Sequence, residues 1–144
     1  MTETLRAHFA DYAAFHRTAG NRSCHAVGIP VIVLSVLALL ARVPLFAVGG
    51  FAVTAAEATI AAFFFYFLSL DAALALLMLA AYALLDALGR VVPPLPALGL
   101  FALGWILQGV GHYVYEKNSP AFSRSVVHLA VGQLWILAKG VGRA

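Results

Sequence analysis

The chain has 144 residues, of which 63% are hydrophobic and 10% charged, and its formal net charge is +3. A soluble domain carries roughly 45–50% apolar and about 25% charged residues, so there is too little polar surface here to coat a water-soluble globule. The length suits one domain; the single cysteine, Cys24, excludes an intrachain disulfide or a thiolate cluster, and the scattered basic residues form no run of the kind that binds nucleic acid.

Residues 3 to 19 place Leu5, His8, Phe9, Tyr12, Phe15, His16 and Ala19 at helical spacing on one side, with Arg6, Asp11 and Arg17 elsewhere. This predicts a helix lying in the membrane interface and ending near Gly20-Asn21. The first 25 residues lack the short apolar core of a secretory signal, so the first apolar run is expected to remain in the mature protein. That run, Val27 to Ala41, is uncharged and closed by Arg42 and Pro44. It is short for a hydrocarbon core of about 30 Å, and flanking residues must help it span.

The next apolar stretch runs from about Thr54 to Leu70 and ends at Asp71, an expected N-cap for a further helix from Ala72 to Leu88. Arg90 and Pro93-Pro94-Leu95-Pro96 form a connector. A fourth apolar helix is expected from about Ala97 to Asn118. After it, residues 121 to 139 are interrupted by Arg124, His128 and Gln133, as in an interfacial or re-entrant helix. The expectation is therefore an all-α integral membrane bundle of about four transmembrane helices with an interfacial helix at each end.

Seven of the nine Lys and Arg residues fall on the N- and C-terminal arms, and only Arg42 and Arg90 lie opposite. By the positive-inside tendency both termini are expected on the cytoplasmic side, in the inner membrane of a bacterium or the endoplasmic reticulum of a eukaryote. All five histidines then share that face: His8, His16, His25, His112 and His128. Neutral imidazole is a common ligand for iron, copper or zinc, which makes the face a candidate metal site; simple interfacial anchoring is the alternative. Gln108, His112 and Glu116 recur every four residues as a polar stripe on an apolar helix, either a hydrogen-bond seam or a site in which His112 binds metal and Glu116 orients another imidazole.

Two stretches carry a family resemblance. HRTAGNRSCHAVGIP, His16 to Pro30, and WILQGVGHYVYEKNSPAF followed by VVHLAVGQLWILAK, within Trp105 to Lys139, resemble the 2-hydroxy-fatty-acid dioxygenases of phytosphingosine α-oxidation. The resemblance implies an Fe(II)-dependent enzyme that uses O2 to shorten a long-chain 2-hydroxy fatty acid by one carbon. It implies His16, His25, His112 and His128 as metal ligands, with His8 outside the pattern, and Gln133 stands where many relatives have proline; Glu116, from the polar stripe, is the candidate supporting catalytic carboxylate. A transporter or lipid-binding membrane protein and a haem-binding electron carrier are the competing classes. A translocation path would carry polar residues through the spans, whereas here they crowd one face.

Overall fold

The computed structural model describes residues 1–120 and 127–144. Arg124 and the expected start of the last helix therefore lie outside the described residues. The described chain is an all-α bundle: α1 is Glu3–Ala14, α2 Ala19–Leu40, α3 Ala55–Leu68, α4 Ala72–Arg90, α5 Pro94–Gly109 and α6 Val127–Gly140. A seven-residue π-helical segment, Val110–Glu116, continues α5.

Three of these rods, α2, α4 and α5 with its π-helical continuation, are long and apolar enough to cross a membrane. The fourth expected span, α3, has 14 residues, or about 21 Å of helix. Large apolar side chains point outward along the long helices: Leu76 and Leu84 on α4 and Ile106 on α5 are each about 60% exposed. Water would penalise that much contiguous apolar surface, and lipid accepts it. The chain is a membrane protein.

Helix α2 sits at the centre and packs on α5, α4, the π-helical segment, α3 and α6. It begins at Ala19, eight residues before the expected span, because Thr18 caps it by accepting from the Asn21 N–H. Gly20 and Asn21 thus open α2 instead of closing α1, which stops at Ala14. At 22 residues α2 is about 33 Å long, enough to span unaided. Gly28 on α2 and Gly104 on α5 let these two helices touch: a Cβ on either would stand 3.1 Å from the other's carbonyl oxygen.

Between the first two expected spans, where the sequence predicts no element, the structure has an antiparallel hairpin of β1, Pro44–Val48, and β2, Phe51–Thr54. Its turn is Gly49-Gly50, both with positive φ, the conformation that a two-residue hairpin turn demands. Thr54 and Glu57 then form a reciprocal capping box that starts α3. Asp71 caps α4 as expected, accepting from the Leu74 N–H at 2.9 Å.

Candidate metal centre

His16 lies in the short turn between α1 and α2, His25 two turns into α2, and His112 in the π-helical segment. All three are buried. Their ring centroids form a near-equilateral triangle with sides of 4.4, 4.7 and 4.9 Å. One ring nitrogen of each lies within 4.8 Å of the other two, close enough to converge on one ion.

The same local device orients two of the rings. His16 Nδ1 meets the Tyr12 carbonyl at 2.7 Å and His25 Nδ1 meets the Asn21 carbonyl at 3.0 Å, each four residues back along the chain. A carbonyl only accepts, so both Nδ1 atoms donate and both Nε2 atoms keep their lone pairs. This is the tautomer that a ligating histidine takes when a backbone carbonyl holds its other nitrogen. His16 Nε2 and His112 Nδ1 are buried without a hydrogen-bond partner. Orphaned buried nitrogens are costly in a protein interior, and a bound metal is one of the few partners that removes the cost. Burial also pushes the His16 imidazole down to about 4, so it is neutral and available as a ligand at neutral pH. The donor set fits a metal that accepts three imidazoles.

Neighbouring groups hold the triangle rigid. Tyr12 stacks on His16 with centroids 3.9 Å apart, and a Cβ on Gly132 of α6 would lie 2.6 Å from the Tyr12 hydroxyl. Gly111 permits the approach of α2 to the π-helical segment, since its Cβ would stand 2.5 Å from Asn21 Oδ1 and 3.2 Å from His25 Nδ1. π-Helical turns are wider than α-helical turns and often occur at functional sites. Here the wide turn splits the expected stripe: Gln108 and His112 border a cavity, while Glu116 reaches the start of α2.

The structure gives Glu116 no hydrogen bond to an imidazole. Its carboxylate accepts from the backbone N–H groups of Arg17 and Thr18, each at 3.0 Å, from Thr18 Oγ1 at 2.9 Å and from Asn21 Nδ2 at 3.1 Å. It thereby ties the end of the π-helical segment to the turn that carries His16. His128 is buried beside the same cavity, with Nε2 2.8 Å from Asp11 Oδ2, and stands outside the three-histidine group. His8 is half-buried on α1 and also lies outside it. Cys24 packs at the crossing of α2 with the π-helical segment and is not part of the group. The roles of Tyr12 and Asn21 as carbonyl partners of the histidine rings were not anticipated from sequence; their spacing, four residues before a histidine, was the available signal.

The cavity has a volume of about 220 Å³ and is bordered by all three clustered histidines, by His128 and by Gln108. Its opposite walls are apolar, supplied by Ile29, Ile32, Val33 and Val36 of α2 and by Phe101 and Trp105 of α5.

A helical membrane bundle with three converging buried imidazoles at one end of an apolar cavity defines a membrane protein with a candidate metal centre. The chain belongs to the Mpo1-like family, described as 2-hydroxy-palmitic acid dioxygenase Mpo1-like, whose model matches residues 2–144. It is 34% identical over 131 residues to the 2-hydroxy-palmitic acid dioxygenase MPO1 of Saccharomyces cerevisiae, an alignment that covers 88% of this chain and 73% of the yeast protein. No solved structure matches it.

Proposed function

We propose that this protein is a membrane-embedded, iron-dependent dioxygenase that converts a long-chain 2-hydroxy fatty acid and O2 into the acid one carbon shorter, CO2 and water. The observation that carries the proposal is the triangle of His16, His25 and His112, two of whose rings are locked with Nε2 free. Membership of a family described by this activity, and the named yeast relative, support the substrate class.

The reaction balances without an added reductant. R-CHOH-COOH plus O2 gives R-COOH, CO2 and H2O; the acid loses four electrons and O2 gains four. Fe(II) held by the three imidazoles supplies Lewis acidity and a template for the two reactants. The remaining steps belong to the protein. Tyr12 and Asn21 hold two ligand rings by their carbonyls, and Glu116 keeps the turn bearing His16 in place. Gln108 Nε2, buried and unpartnered at the cavity wall, provides a donor for an oxygen of the substrate head. The apolar walls exclude bulk water from the head group. In this reading His128 is paired with Asp11 at the cavity rim and is not a ligand, and Glu116 is a positioning residue. The distribution of Lys and Arg puts both termini and the metal centre on the cytoplasmic side.

Purification from membranes with metal analysis, followed by aerobic incubation with a 2-hydroxy long-chain acid, tests the proposal. Stoichiometric iron and the acid one carbon shorter are expected. Metal without that product removes the reaction and leaves a metal protein. His112→Ala is expected to lose at least about tenfold in metal affinity and most of its turnover, and full iron occupancy in that variant removes His112 from the ligand set.

A further inference from the structure

A second cavity, of about 160 Å³, adjoins the first and shares Ile32, Val33, Val36 and Gln133 with it. It adds Leu37 of α2, Thr59, Ile60 and Phe63 of α3, and Tyr82 of α4. Among the described residues no charged side chain lines it. Its polar groups are already satisfied: Thr59 Oγ1 donates to the Ala55 carbonyl, Tyr82 donates to Gln133 Oε1 at 2.7 Å, and Gln133 Nε2 donates to the Leu129 carbonyl. The passage from the histidines into this second cavity therefore offers an occupant nothing but apolar contact. Its head end is the reverse, with three imidazoles and the unpartnered Gln108 amide.

We infer that the substrate's acyl tail runs from the histidine cluster along α2 into the second cavity, where Val36, Ile60 and Phe63 set the chain length that the protein accepts. The inference rests on the hydroxy-acid reading above. His25 and Leu37 are twelve residues apart on α2, a rise of about 18 Å. Carbon–carbon bonds of about 1.5 Å at angles near 111° advance about 1.25 Å each, so about 14 carbons fit that length. With the carboxyl and hydroxyl-bearing carbons at the cluster, that distance takes an acid of about 16 carbons, the length of the palmitic chain in the family's description; the inference is the assignment of the residues that set it. The tail lies parallel to the central membrane helix, and the head group stays at the end of the bundle where the histidines are.

The test is equilibrium binding to the full-length protein in lipid nanodiscs, without metal and without oxygen, so that turnover plays no part. A 2-hydroxy acid brominated next to its head group quenches Trp105 on the cavity wall, and unlabelled 2-hydroxy acids of graded length compete with it. The wild type is expected to prefer about 16 carbons and to fall off about tenfold once the tail overfills the slot. Val36→Phe, which fills the passage, moves the optimum shorter by about two carbons or more, and Phe63→Ala moves it longer by a similar amount. The two variants shift in opposite directions, so if one fails to fold the other still decides. Identical length profiles in the wild type and a folded variant overturn the inference, as does preferential competition by unhydroxylated phospholipid, which would make the slot a site for bilayer lipid. Shifted binding profiles with no product from the metal-loaded protein would retain the slot and remove the reaction. Product with an unshifted profile would do the reverse.

Discussion

Gly109 and Gly111 stand two residues apart, and alanine at the two positions should have opposite effects. A Cβ on Gly109 meets nothing within 4 Å, so Gly109→Ala gains the helix preference of alanine, up to about 1 kcal/mol. A Cβ on Gly111 would stand 2.5 Å from Asn21 Oδ1 and 3.1 Å from Cys24 Cβ, where ordinary contact begins at 3.4 Å. Asn21 cannot yield freely, because its Nδ2 is held by the Phe15 carbonyl and by Glu116. The π-helical segment must then move away from α2 by roughly 1 Å, at an overpacking cost of about 1–3 kcal/mol. That movement separates His112 from His25, and displaced supports of metal ligands typically cost about 10–100-fold in metal affinity. Thermal unfolding of the metal-free protein measures the first effect and competitive iron titration the second. Equal stability and equal iron affinity in the two alanine variants would refute the packing argument and with it the rigidity assigned to the triangle.

Two further outcomes concern stability away from the histidine cluster. Tyr82→Phe removes the donor to Gln133 Oε1 that joins α4 to α6, and it should destabilise the protein by about 1 kcal/mol in thermal unfolding; an unchanged transition would mean that this bond adds nothing. Asp71 is held below the ordinary carboxylate range by the N-terminal ammonium first, then by the Leu74 N–H, with Arg143 adding attraction. Because the folded value is depressed, its contribution is complete above the unfolded value of about 3.9 and is lost as the pH falls through the lower folded value. Asp71→Asn keeps the helix cap, since asparagine caps as well as aspartate. Metal-free Asp71→Asn should therefore melt earlier at neutral pH and lose less stability on acidification; an acid profile parallel to that of the wild type would exclude Asp71 as its source.

Hydropathy alone determines that this chain is a helical membrane protein, because an excess of apolar residues has no other way to be solvated. Asp71 likewise marks a boundary that holds in the structure, since an N-cap carboxylate acts within a few residues of itself; of the expected connector Pro93 to Pro96, only Pro93 lies outside α5, because Pro94 and Pro96 fall in its first turn, where a helix needs no N–H. The Gly49-Gly50 hairpin was equally local and equally legible, yet the apolar runs around it masked the alternation. Long-range contact decided the rest. Gly20-Asn21 carries the local signature of a helix end, but Thr18 caps a helix that starts at Ala19, and Glu116, from the far end of the bundle's sequence, accepts from both Thr18 and Asn21 at that start. The one-sided histidines could be read from the chain, but not which of them converge. His16, His25 and His112 meet because Gly111 lets a π-helical turn approach α2, whereas Asp11 holds His128 at the rim. Which histidines converge depends on packing between residues about ninety positions apart, and the local spacing of side chains contains no record of it.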